Sequence, residues 1–363
     1  MVAALISALA ICAFIALYLQ LPMFGRLPQG ERLARIEKLP NYRDGKFHNI
    51  RETPLMIKNP VKTALKLLLE RKTERMPPKP LPAIKTDLHN LDPKENVLVW
   101  FGHSSYFIQI DGRRILVDPL FSKVSSPLLF FPEAFAGTDI YRPEDMPEID
   151  CLIISHDHWD HLDYKTVLQL RPKVKTVICP IGVGEHFEYW GFSREKIIEM
   201  YWNENISPME SFEVHCLPAR HFSGRSIFRN KSLWASFLLI SKGFKIYIGG
   251  DSGYDTHYVE IGNRFGPMDI AILDSGQHNE NWRHVHMMTD EVIKASCNLR
   301  TKMLLPAHIC KISLAYHSWD EPLMELSRMA KGEKFSIVTP IIGEKVKLRS
   351  PLQITSRWWE NLK

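Results

Sequence analysis

The sequence is poor in the features that define several large functional classes. It has six cysteines, Cys12, Cys151, Cys179, Cys216, Cys297 and Cys310, and no Cys-x-x-Cys pair. That scatter excludes a disulfide framework and reads as thiols buried in apolar runs. It lacks a strong charge of either sign. A formal net charge of +5 over 363 residues is too weak for a nucleic-acid partner, though compatible with an anionic surface or a phosphate-bearing substrate. It also lacks any Lys or Arg before Arg26, and no small-x-small cleavage site follows the apolar start. A cleaved signal peptide is therefore not the expected reading of this run. What remains is ample apolar content, 45% of residues, enough for one large body with an N-terminal appendage.

Residues Val2 to Leu19 are uncharged and almost wholly apolar, about the length that crosses a hydrocarbon core as a helix. The expectation is a single-pass N-terminal transmembrane anchor over residues 1–24. Arg26, Arg32, Arg35 and Lys38 follow it, so the positive-inside rule places the body on the cytoplasmic side of the membrane. Gln20 and Pro22 cut the run at its minimum length, which leaves a buried or interfacial helix as the alternative. A connector over residues 25–95 follows. Within it Pro60 to Lys72 repeats apolar residues at helical spacing, an amphipathic basic helix that either packs its Leu67/Leu68 face on the body or lies on an anionic bilayer. Met76 to Pro82 is too rich in proline for a helix and reads as extended chain.

From Asn96 the pattern changes to short β-type runs. Val97–Phe101, Tyr106–Ile110 and Ile115–Asp118 form an antiparallel opening with Asp111-Gly112 as a hairpin turn. Helical stretches are expected over Tyr164–Leu170, Gly184–Tyr189, Thr256–Phe265, Asp290–Arg300 and Glu321–Lys331. Two groups of strands with helices between and outside predict an α/β fold, two sheets packed face to face and covered by helices, over residues 96–350. A C-terminal tail follows over 351–363.

The densest chemistry lies in Ser155-His156-Asp157-His158-Trp159-Asp160-His161-Leu162-Asp163, directly after the apolar run Cys151 to Ile154. A strand delivering His-x-His-x-Asp-His into a turn aims two imidazoles at one ion and an Asp/His pair at a second. Imidazole and carboxylate suit zinc, and less selectively iron or manganese. Three further strand ends each deliver one residue of ligand type. These are His221 after Pro218-Ala219-Arg220, Asp251 within Gly249-Gly250-Asp251-Ser252-Gly253, and His308 after Leu304 to Ala307. Strand ends converge on one edge of a layered sheet and hold side chains more rigidly than free loops.

These motifs, with Trp100-Phe101-Gly102-His103-Ser104-Ser105, Asp118-Pro119, His284-Val285-His286-Met287 and Trp319-Asp320-Glu321-Pro322, span about residues 96 to 325. The chain resembles the metallo-β-lactamase-fold hydrolases, in particular the branch that contains N-acylphosphatidylethanolamine-hydrolysing phospholipase D and its bacterial relatives. The resemblance implies an αββα sandwich holding two zinc ions. One would be bound by His156, His158 and His221, the other by Asp160, His161 and His308, with Asp251 bridging them. It further implies a phosphodiesterase of phospholipase D type, with Asp251 and Asp160 as catalytic candidates; His286 is a further catalytic candidate through contact with the substrate, and His103 and His286 could each instead be a structural hydrogen-bonder. Asp118, His103 and Asp163 are candidates for orienting the imidazoles, the alternative for Asp118 and Asp163 being turn-capping carboxylates. The expected partners are a phospholipid or other phosphodiester substrate and the membrane, with no nucleic acid; a homodimer is allowed for without a residue pattern that requires it. The chain departs from the branch at Ile309-Cys310-Lys311, where an aromatic-Gly pair is usual, and around Gln277 to His284. Phe121, Leu128 to Phe131 and Phe135 form either an apolar flap for acyl chains or a piece of core. A lactonase or phosphoesterase acting on a soluble sugar phosphate is a second enzymatic reading, and a non-catalytic membrane-tethered metal-binding protein is the reading from another class.

Overall fold

The computed structural model describes residues 1–56, 75–127, 132–350 and 356–362, with only the backbone at positions 3 and 4. The helix expected over Pro60 to Lys72 and the apolar run Leu128 to Phe131 lie outside the described residues. The N-terminal segment forms helices α1 (Val2–Tyr18) and α2 (Gly30–Ile36), then a short hairpin, β1 (Tyr42–Arg43) and β2 (Lys46–Phe47).

Two seven-stranded sheets follow. The first contains β3 (Val97–Trp100), β4 (Tyr106–Ile110), β5 (Arg113–Val117), β6 (Ile149–Ile153), β7 (Val174–Pro180) and β8 (Ile197–Met200), with β16 (Lys345–Lys347) returning to pair with β3. The second runs from β9 (Asn205–Met209) through β10 (Phe212–Leu217), β11 (Ser236–Ser241), β12 (Phe244–Ile248), β13 (Ile270–Asp274) and β14 (Met303–Ala307) to β15 (Ser336–Ile337). Both sheets repeat one pairing sequence, antiparallel across their first four strands and parallel across their last four. The parallel strands need crossovers, and helices carry those after β6 and β7 in the first sheet, α3 (Tyr164–Leu170) and α4 (Gly184–Tyr189), and all three in the second, α5 (His257–Phe265), α6 (Thr289–Asn298) and α7 (Glu321–Met329).

The inner strands read as continuous apolar runs because they are buried on both faces, as β3, β4 and β13 are along their whole length. In β3, Leu98 and Trp100 enter the layer between the sheets while Val97 and Val99 pack beneath the helices of the first sheet. This is the αββα sandwich expected. Asp111 and Gly112 turn with φ of 48° and 76°, the two positive angles that a tight hairpin of right-twisted strands requires. The strands β8, β9 and β16 lack a continuous apolar run because they are edge strands, where Glu199, Pro208, Lys345 and Lys347 are tolerated.

The transmembrane anchor is overturned. The helix α1 has 17 residues, about 26 Å at the helical rise, against about 30 Å of hydrocarbon. No helix among the described residues is long and apolar enough to cross a membrane. The cytoplasmic placement falls with it, because the three arginines read as part of its flank have partners within the fold. Arg32 bonds Glu185, Glu188 and Glu199, Arg35 pairs with Glu204, and Arg26 lies 4.4 Å from the Tyr189 ring centroid. The end of α1 folds onto the body: Tyr18 donates to the Pro127 carbonyl, Trp190 Nε1 donates to Pro22 O, and Phe24 meets Trp159 edge-on at 5.2 Å. The C-terminal residues Trp358 and Trp359 are buried in the central layer.

Candidate metal centre

The turn after β6 is held from both sides. Asp118, at the end of β5, takes the backbone N–H of Ser155 on one oxygen (2.8 Å) and the Ser155 hydroxyl on the other (2.6 Å). The same oxygen accepts His161 Nδ1–H at 2.8 Å. Asp157, between the first two histidines, accepts from Gly224 N and Ser232 Oγ, both at 2.6 Å. Arg225 is buried and donates to the carbonyls of Asp157 (3.0 Å) and Leu162 (2.6 Å), closing the two ends of the turn. Its remaining N–H groups reach Met23 O, and its guanidinium stands 4.2 Å over Trp159 and 5.3 Å over Trp190.

The second sheet completes the cluster. Gly250 takes φ of 60°, and a Cβ there would stand 3.0 Å from Ala235 O, so glycine is what lets Asp251 approach. Asp251 Oδ2 then lies 3.2 Å from His161 Nε2, 3.3 Å from His308 Nε2, 3.7 Å from His221 Nε2 and 3.8 Å from His156 Nε2. Two groups of ligand atoms form around it. His156, His158, His221 and Asp251 make one; His103, Asp160, His161 and His308 make the other. In the first, His158 Nδ1 stands 2.8 Å from His156 Nε2 and 3.3 Å from His221 Nε2. In the second, Asp160 Oδ2 lies 2.8 Å from His103 Nε2, 3.3 Å from His308 Nε2 and 3.6 Å from His161 Nε2.

These separations bracket the ~3.3 Å between neighbouring ligands of a tetrahedral ion with bonds near 2.0–2.1 Å. The outer nitrogens are already committed: His156 Nδ1 to Ser155 Oγ, His161 Nδ1 to Asp118 and His221 Nδ1 to Val285 O. The inner atoms are left over, and His161 Nε2 and Asp251 Oδ1 are buried without a hydrogen-bond partner. A buried orphan acceptor and imidazoles fixed from behind fit a divalent cation. Burial, together with the neighbouring imidazoles, holds His156 and His221 well below the usual histidine range. His158 is lowered to about 4, chiefly by burial. Neutral imidazole is the form that ligates. Burial also works against a charge on His308, yet Asp251 and Asp274 raise it to about 10. Protons on such rings balance carboxylate charge that a cation would otherwise neutralise.

All seven expected ligands therefore meet at one edge of the sandwich. His103, on a backbone with φ of 53°, is drawn into the second group by its contact with Asp160. Asp118 orients His161 and Ser155. Asp163 is not brought to the imidazoles: it caps α3 by accepting Lys165 N and pins Ser122 and Thr166. His286 joins a third group with Asp251, Asp274 and His308. Sequence reasoning missed Asp274, Arg225 and Arg229. Gln277, at the start of the second departure from the family pattern, bonds the loop just past the first: it accepts from Leu314 N and Ala315 N and donates to Ile312 O.

Two cavities flank the centre. One of about 520 Å³ is lined by His158, Asp160, Trp159, Phe24, Tyr18 and Arg229, among others. Another of about 260 Å³ is lined by His286, Gln277, Trp282, Leu55 and Met56. Both share Phe222, Arg229 and Leu314.

An αββα sandwich with two imidazole–carboxylate groups at its strand ends is the architecture of a metal-dependent hydrolase. The chain belongs to the metallo-β-lactamase superfamily: the profile described as "Beta-lactamase superfamily domain" matches residues 113–309. It is 33% identical over 339 residues to an uncharacterized protein of Mycobacterium tuberculosis, covering 89% of this chain and 88% of that one. It is 31% identical over 257 residues to the mitochondrial N-acyl-phosphatidylethanolamine-hydrolyzing phospholipase D of Saccharomyces cerevisiae, covering 68% of this chain and 54% of that protein. In fold it is similar to CmlA, a diiron β-hydroxylase from Streptomyces venezuelae, with a TM-score of 0.55 and 19% identity over 71% of this chain and 55% of that one.

Proposed function

We propose that the protein is a binuclear zinc-dependent phosphodiesterase of phospholipase D type, which cleaves N-acylphosphatidylethanolamine to phosphatidic acid and N-acylethanolamine. The observation that carries this reading is the position of Asp251 Oδ2, within 3.2–3.8 Å of four imidazole nitrogens drawn from both sheets. His156, His158 and His221 would hold one ion, Asp160, His161 and His308 the other, and Asp251 would bridge. Imidazole with carboxylate suits zinc, and also iron or manganese. When bound, such a pair supplies a water of lowered pKa and positive charge against the phosphoryl oxygens.

The chain's own groups supply the rest. Arg229 is exposed where both cavities meet, 5.4 Å from the Phe222 ring, and presents a cation to a phosphodiester anion. Trp159, Phe24, Tyr18 and Phe222 give the larger cavity apolar walls suited to acyl chains. His286 borders the smaller cavity with Nδ1 turned to Asp274, which leaves Nε2 for a proton exchanged with the substrate. In the overall reaction the oxygen of water joins phosphorus and the ethanolamine oxygen leaves with a proton; with Nδ1–H held by Asp274, the bare His286 Nε2 is in reach to take the proton that the water gives up and return it to the leaving oxygen.

The test is zinc-loaded protein with vesicles containing N-acylphosphatidylethanolamine. Phosphatidic acid and N-acylethanolamine should appear in equal amounts. Hydrolysis of bis(p-nitrophenyl) phosphate without either product would remove the lipid and keep the diesterase. Turnover of a sugar-phosphate lactone with neither diester cleaved would replace the reading by a lactonase.

A further inference from the structure

Asp274 closes β13 with a fully buried side chain that touches two imidazoles at once. Its Oδ2 accepts a hydrogen bond from His286 Nδ1 at 2.8 Å, and its Oδ1 faces His308 Nδ1 at 3.2 Å in a charge contact, neither atom of which has another partner. Sheet register fixes this placement, because Asp274 pairs with Ala307, the residue before His308, in the parallel β13–β14 ladder. The His286 and His308 rings stack at 12° with centroids 5.1 Å apart, so the carboxylate sits at the same edge of both. The segment carrying His286 is itself anchored: His286 N donates to Trp282 O and Val285 O accepts from His221 Nδ1. Gln277, three residues past Asp274, bonds the loop that follows His308 through Ile312, Leu314 and Ala315. The strand end thus supports that loop by its backbone and His308 by its ring.

A carboxylate facing Nδ1 keeps a proton there and leaves Nε2 to act on the other side of the ring. For His308, Nε2 is the atom 3.3 Å from both Asp160 and Asp251. For His286 the other side is the cavity lined by Gln277, Trp282 and Phe222. We propose that Asp274 is a positioning residue that fixes the Nδ1–H form of His286 and His308 together, setting one imidazole for the metal centre and the other for the substrate. Its role toward the leaving oxygen rests on the phosphodiesterase reading; the ring tautomers do not.

Asparagine at this position replaces one acceptor oxygen by an N–H donor, which favours a bare Nδ1 and a proton on Nε2. The experiment is nitrogen NMR on protein carrying 15N-histidine, with the His286 signals assigned by their loss in His286→Ala. The neutral His286 ring should be protonated on Nδ1 in the wild type and on Nε2 in Asp274→Asn. With bis(p-nitrophenyl) phosphate as probe, Asp274→Asn should lower kcat about 10- to 100-fold with little change in KM, and zinc should be lost more readily to a competing chelator. Adding His286→Ala to Asp274→Asn should cost nothing more, since the two act as a unit. A wild-type His286 protonated on Nε2 would overturn the proposal even where the variant failed to fold. So would losses from the two substitutions that multiply.

Discussion

Arg225 gives the most direct test of how the metal turn is held. It is 4% exposed, and Arg225→Ala removes the donors that serve three carbonyls, Asp157 and Leu162 at the two ends of the turn and Met23 in the N-terminal segment. Each buried acceptor left unmade costs about 1–3 kcal/mol, and the two ring contacts add about 1 kcal/mol each. Against this stands the released cost of burying the guanidinium, which also lowers its pKa to about 10 despite Asp157 and Asp163. The net should fall near the 3–5 kcal/mol typical of breaking a buried charged contact on one side. At roughly 2–4 °C per kcal/mol, a loss of about 3 kcal/mol lowers the melting temperature by about 6 to 12 °C. The loosened turn should also weaken zinc binding about 10- to 100-fold. The assay is melting by circular dichroism beside competition with a chromophoric chelator. Arg225→Lys should recover little, because a single ammonium cannot span three carbonyls that a planar fork reaches. Wild-type melting and wild-type zinc affinity in Arg225→Ala would falsify the clasp.

Asp251→Asn should keep the fold by circular dichroism, hold fewer than two metal ions by elemental analysis, and lose activity about 100- to 1000-fold, in the range seen when one aligned electrostatic group is removed; full activity would end the bridging assignment. Lys311 is buried and donates to Phe101 O, and burial lowers its pKa to about 8 against the pull of Asp139 and Asp163. The folded state therefore releases its proton near pH 8 while the unfolded chain keeps it to about 10.5, so stability should rise with pH across that window by about 3 kcal/mol. That rise should vanish in Lys311→Met, and a rise equal in both proteins would exclude Lys311 as its source. Phe24 walls the larger cavity against Trp159; Phe24→Leu should raise KM roughly tenfold for long-chain substrate relative to short-chain, and equal effects on both would place the chain elsewhere.

The residues that cluster at the centre were legible because each strand end announces itself, an apolar run broken by a histidine or aspartate. The αββα layers were legible from strands buried on both faces. Asp274 obeys the same rule as Asp118, closing the strand of the second sheet that corresponds to β6, but a lone aspartate before Ser275-Gly276 reads as a turn. Of the two readings open for Asp163, orienting an imidazole or capping a turn, the fold takes the second, because the residue stands directly before α3 and caps it. Arg225 acts through carbonyls, which no residue pattern marks. The anchor misled because composition measures hydropathy and not partners; Arg32 among three glutamates and Phe24 on Trp159 are tertiary facts.

The centre draws His156, His158, Asp160 and His161 from the first sheet and His221, Asp251 and His308 from the second. Asp160 and His308 stand 148 residues apart in sequence. An ion bound between them closes a loop of that size, the entropic service a disulfide renders elsewhere and which the six free cysteines here do not. Catalytic metal would then also be a long-range cross-link, formed only once both sheets have docked and released only when they part.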